Sequence, residues 1–166
     1  MSEKQEPRPY IIVDHIGWIL LPLILAVLTA VLAPYVARHR EAVRQQTCLS
    51  NMKAIALSIR MYAQEHDGFL PPGPDWVAQM QGHVENRRLL RCPSDDAPVS
   101  YVLNPDLFGR RPDSVGDPGL TVLLYEGRSG TVIEWHNGGA NYVFVDGRAE
   151  WAEEAPEGLD VAVAAP

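Results

Sequence analysis

The sequence predicts an α+β protein: a long N-terminal helix, membrane-spanning over its first half, packed on a small antiparallel β-sheet head. Three observations predict it. An uncharged run of 21 residues, Ile16 to Val36, leads into apolar residues at helical spacing. Asp67-Gly68 and Pro71-Pro72-Gly73-Pro74 then end that periodicity. The last third alternates β-rich runs with Asn-Gly and Asp-Gly turns. The 166 residues divide accordingly into a polar N-terminal segment (1–15), a transmembrane helix (16–36), an amphipathic continuation (37–67), a loop-rich β head (68–154) and a flexible tail (155–166).

At about 1.5 Å per residue the uncharged run covers roughly 30 Å, the hydrocarbon thickness of a bilayer. A chain this small could hardly cover a helix that is apolar on every side, which argues against a buried core helix. The run also exceeds the about 7–15 apolar residues of a secretory signal, and Pro34 directly after Ala33 is a poor cleavage context. It reads as a retained single-pass anchor, with Trp18 and Tyr35 near its two interfaces. Arg38, Arg40 and Arg44 follow it, and Lys4 and Arg8 precede it. By the positive-inside rule this leans, by one Arg, towards a cytoplasmic C-terminal domain.

Beyond the anchor, Leu49, Met52, Ala56, Ile59 and Ala63 recur at alternating three- and four-residue spacing, with Ile55 and Tyr62 flanking the stripe. A single helix from about Ile16 to His66 would be roughly 75 Å long, kinked rather than ended at Pro34. Leu49, Met52, Ile55, Ala56, Ile59 and Tyr62 are the residues expected to pack it on the head. A short helix is expected over Asp75 to Val84, with Trp76, Met80 and Val84 inward, and a short strand over Ser100 to Leu103. LTVLLYEG reads as a central strand. TVIEW, ANYVFV and RAEW, separated by His136-Asn137-Gly138-Gly139 and Asp146-Gly147, read as an antiparallel meander. The Ala-, Pro- and acid-rich segment after Glu153 is expected to fray.

Composition narrows the function. Residues 68–166 hold 7 basic and 15 acidic side chains, the opposite of a nucleic-acid footprint, so no nucleic-acid partner is expected. Two cysteines exclude a disulfide-dense framework and an all-cysteine zinc site within one chain. No Gly-x-Ser-x-Gly elbow, phosphate-binding Gly loop or His-Glu-x-x-His occurs, so no catalytic residues are assigned and no enzyme is expected. If Ala140 to Val145 is a strand, His136 and Asp146 lie roughly 20 Å apart and cannot act together; both are read as parts of turns, His136 capping the first. Asp95, Asp96, Asp106, Asp113 and Asp117 lie in loops without EF-hand spacing. They read as a solvated acidic surface, with calcium or polysaccharide binding as the alternative, and no cofactor or metal ligand is assigned. Glu126 reads equally as a satisfied strand-end carboxylate or as a ligand. Cys48 and Cys92 are either separate thiols or a disulfide clamping the loop to the helix; the bond would close a loop of roughly 45 residues and contribute about 3–4 kcal/mol.

CLSNMKAIALSIRMYAQEHDGFLPP after an apolar helix resembles the spike-to-head junction of type IV pilin-like proteins, the pseudopilins of type II secretion systems. EWHNGGANYVFVDGRAEW, a His, nine residues and Asp-Gly, resembles the C-terminal motif of a family of bacterial prepilin-like proteins. CPSD at Cys92 to Asp95, SYVLNPDLFG and TVLLYEG resemble that family's internal blocks. The resemblance covers roughly Pro34 to Trp151. It implies a pilin-like lollipop in the bacterial inner membrane, with an extracytoplasmic head and pilin-like or secretion-system proteins as partners. The front departs from the pattern. Aligning the spike proline on Pro34 puts Ile12-Val13 at the expected peptidase junction and Gly17 at the position of the family's glutamate.

Overall fold

The computed structural model describes residues 10–84 and 86–164, with side chains from residue 17 onward. Residues 1–9 of the polar segment 1–15 therefore lie outside the described residues, and of the Ile12-Val13 junction the backbone alone is described. Helix α1, Tyr10–Glu65, runs through both Pro22 and Pro34 without ending. The chain separates into two compact units, one up to His39 and one from Arg40 onward.

In the first unit every described side chain from Trp18 to Val36 is exposed. By length and composition this stretch of α1 can cross a membrane. Thr29, the one hydroxyl in its centre, returns its proton to the Leu25 or Ala26 carbonyl, so it offers the surroundings no unpaired donor.

The second unit is the head, and the fold class is α+β as expected. Met52, Ile55, Ala56, Ile59 and Tyr62 are buried and Leu49 is half-buried, so the predicted stripe is the packing face. The helix stops where Asp67 and Gly68 take left-handed φ values of 54° and 86°, letting the Gly68 N–H reach the Ala63 carbonyl at 2.8 Å. A second helix, α2 (Trp76–Gln79), is shorter than expected, with Trp76 and Met80 buried.

Among the described residues six strands follow: β1 (Tyr101–Leu103), β2 (Val122–Arg128), β3 (Thr131–Ile133), β4 (Ala140–Phe144), β5 (Ala149–Ala152) and β6 (Ala162–Ala164). Their order is β5-β4-β2-β3-β6, with β1 also on β2. Every pairing is antiparallel except β3 with β6. The expected meander holds only for β4 and β5, joined at Asp146-Gly147. Strand β4 pairs with β2 rather than with β3, because the apolar β2 is buried along six of its seven residues and needs partners on both edges. The tail is also corrected: Leu159 is buried and β6 pairs with β3, so residues 155–164 form part of the sheet and its cover.

The sheet has two buried faces. Val122, Tyr125, Tyr142 and Phe144 lie on the side covered by Leu159 and its neighbours. Leu103, Leu124, Val143 and Val145 face α1 with Met52, Ile55 and Ile59. The period of two along each strand assigns Tyr101, Glu126 and Asn141 to the α1 side as well.

Candidate functional site

Those three polar residues form a row across the sheet. Tyr101 is the register partner of Glu126, Asn141 precedes the partner of Tyr125, and Trp151 on β5 pairs with Asn141. Facing the row, α1 presents Glu41, Gln45 and Cys48 at spacings of four and three, one helical face. Cys92 enters from the loop before β1 and His136 from the turn before β4.

The turn puts the histidine there. Asn137 and Gly138 both take positive φ, 55° and 80°, as a tight primed turn requires, and His136 and Gly139 exchange backbone hydrogen bonds of 3.2 Å. Trp151 donates its indole N–H to the His136 carbonyl at 2.9 Å and lies so close to Gly139 that a Cβ there would meet its ring at 2.7 Å. The predicted turn is present, but the His136 side chain does more than cap it. It points inward and is fully buried.

Around the ring, Nδ1 lies 2.7 Å from Glu41 Oε1, and Nε2 lies 3.0 Å from Glu126 Oε1 and 3.3 Å from Cys92 Sγ. Glu126 is itself held by Asn141, whose backbone N–H reaches Oε2 at 2.8 Å and whose side-chain amide reaches Oε1 at 3.0 Å. The same amide reaches the Gln45 carbonyl on α1 at 3.3 Å. Ser94 donates to Glu41 at 2.7 Å. Glu126, the carboxylate that the sequence left between two readings, is therefore both satisfied and in ligand position.

Cys48 and Cys92 are buried free thiols, so the structure holds the unbonded alternative, yet it brings both into the cluster. One ligand atom from each of Cys48, Cys92, Glu126 and His136 lies within 4.8 Å of all the others. No metal ligand was assigned from the sequence; here four groups of ligand type converge, and together they could hold a metal ion.

The electrostatics fit a site built for charge. Hydrogen bonding with Cys48 draws the Cys92 thiol down to about 6 against the pull of burial, with His136 and the Ser94 N–H assisting. The same contact and burial push the Cys48 thiol up. Burial alone would lower His136, but hydrogen bonds with Cys92 and Glu126 raise it to about 10. Burial opposes ionisation of Glu41, and its bonds to Ser94 and His136 hold it below the usual carboxylate range.

Asp146 is elsewhere. Its N–H reaches the Pro118 carbonyl and its side chain accepts from the Arg148 N–H across Gly147, whose φ is 94°, so it forms the second predicted turn and no pair with His136. The acidic loop residues do not converge either: Asp95 pairs with Arg128, Asp96 with Arg91 and Asp113 with Arg111, while Asp117 accepts from the Gly119 N–H. A surface groove of about 820 Å³ beside Trp76, Phe108 and Arg128 includes neither cysteine, nor Glu126, nor His136 in its lining.

Glu41, Tyr101 and Asn141 were missed from the sequence. The seven-residue step from Glu41 to Cys48, two turns of one helical face, is the signal that would have joined the first to the site. No protein-family model, curated protein or solved structure matches the chain.

Proposed function

We propose that the chain is a membrane-anchored, pilin-like module that serves a type II secretion or type IV pilus-like system as a structural or accessory component, with its head outside the cytoplasm. The observation that carries this reading is the change of character along α1. From Trp18 to Val36 it is apolar and exposed on all sides, whereas from Cys48 to Ala63 one stripe alone is buried, against a sheet. An anchor continuous with a packing helix is the arrangement that the junction sequence and the His-x9-Asp-Gly motif resemble. A non-enzymatic role is favoured by the burial of the reactive side chains that converge: Cys48, Cys92, Glu126 and His136 are all buried, and Cys92 alone of the four borders the recess beside Thr47 and Asn51.

The test is extraction and intact mass from the native membrane. The chain is expected to stay with membranes through alkaline carbonate, to dissolve only in detergent, and to retain the apolar run. A mass showing cleavage beyond Val36, or a soluble product, would exclude an anchored module. Shortening near Val13 with one added methyl would identify prepilin-type processing. Deletion of the gene in its host should impair secretion or pilus assembly, and unchanged secretion and pili would remove the system from the reading.

A further inference from the structure

We infer that Cys48, Cys92, His136 and Glu126 form a closed structural site for a zinc-class divalent transition metal, with Glu41 as the carboxylate that orients His136. Two sulfurs, one imidazole nitrogen and one carboxylate oxygen are the borderline-soft donors that zinc takes, whereas calcium takes six to eight oxygens. A tetrahedral centre with metal–sulfur bonds of about 2.3 Å and metal–nitrogen bonds of about 2.0–2.1 Å spaces its ligand atoms roughly 3.3–3.8 Å apart. The four atoms here lie within 4.8 Å of one another, with Cys92 Sγ and His136 Nε2 at 3.3 Å, so small side-chain movements close the tetrahedron.

The surroundings match what such a centre needs. A histidine that binds a metal through one ring nitrogen ordinarily donates the other N–H to a carboxylate or carbonyl, which fixes its tautomer. Glu41 occupies that place at 2.7 Å, and Ser94 fixes Glu41 in turn. Asn141 holds both oxygens of Glu126. The buried Tyr101 hydroxyl lies beside Cys48, where a metal-bound thiolate would accept a hydrogen bond from it. A metal ion takes both sulfurs as thiolates and Nε2 without its proton, so whatever protons these three atoms carry leave to solvent as the dication enters. Cys92 also lines a surface recess with Thr47, Asn51 and Pro93, which offers a way in. All four ligands are protein groups and all are buried, so no position is left open for substrate, and the metal's role is to staple α1, the Cys92 loop, β2 and the His136 turn together.

The inference is tested on the full chain purified in detergent without chelator. Elemental analysis should find about one zinc per chain, as a four-ligand site requires. Exchange for cobalt should give the charge-transfer and visible bands of a tetrahedral thiolate centre, lost in Cys92→Ser. Should Cys92→Ser fail to fold, Glu41→Gln keeps all four ligands and is expected to weaken zinc roughly 10–100-fold in chelator competition. Unchanged zinc affinity in Glu41→Gln would overturn the orienting role. A metal-free chain with both thiols open to alkylation, or a Cys48–Cys92 disulfide found by mass without reduction, would overturn the site.

Discussion

The head uses carboxylates in two ways, and the contrast separates surface chemistry from a site. In the acidic loops three carboxylates are answered locally: Asp113 by Arg111 two residues away, Asp117 by the N–H two residues on, Asp96 by Arg91. These groups are exposed, and their pairs shape turns without linking distant parts of the chain. In the cluster, Glu126 meets Asn141 15 residues later, and Glu41 meets His136 95 residues later. Burying such groups carries a large desolvation penalty, offset only while every partner stays in place. Loops with many acids therefore say little, whereas a buried Glu126 and a half-buried Glu41 with long-range partners mark where the fold is specified.

The largest effect that would sharpen this contrast is expected from Glu126→Ala. It strands the Asn141 N–H and removes the counter-charge of His136, and breaking a buried pair in this way costs about 3–5 kcal/mol. Denaturant unfolding of the full chain should show the loss; a change no larger than that of a loop acid would erase the distinction. Next is Gly139→Ala. A Cβ there would lie 2.4 Å from the Ala152 carbonyl and against the Trp151 ring, so the His136 turn must shift. Overpacking of this kind costs about 1–3 kcal/mol, and zinc affinity should fall with it. At Gly138, where a Cβ meets nothing but φ is 80°, alanine should cost about 1–2 kcal/mol of backbone strain and leave zinc affinity unchanged.

What was legible in the sequence is what local physics writes there. The stripe from Leu49 to Tyr62, the stop at Asp67-Gly68 and the turns at Asn137-Gly138 and Asp146-Gly147 each follow from spacing or from φ requirements within a few residues. Strand partners do not. Nothing in TVIEW or ANYVFV states that β2 lies between them, since that order is set by the need of an apolar central strand for two covered edges. The cluster was illegible for the same reason: Glu41 stands among the charges that follow an anchor, Cys92 in a loop, and only tertiary packing brings them to His136. The tail differs from its expected fraying because its composition carries no trace of the β3 edge that accepts β6.

Asp95 tests the boundary between the two uses, because it belongs to an acidic loop by sequence yet its side chain is only 6 % exposed. Burial pushes its carboxyl up, but the Ala97 N–H, Ser100 and Arg128 more than offset that and hold it below its ordinary 3.8. A carboxyl lowered by folding adds stability that is complete above its unfolded value and is lost as pH falls through the folded value. Asp95→Asn should therefore cost about 1–2 kcal/mol at neutral pH, with the difference from wild type closing in acid. Asp113→Asn, on a fully exposed pair, should leave the unfolding midpoint where it is at any pH. If the two substitutions behave alike, burial is not what divides the carboxylates. If only Asp95 matters, and only above the acid range, enclosure rather than charge decides which acids hold this head together.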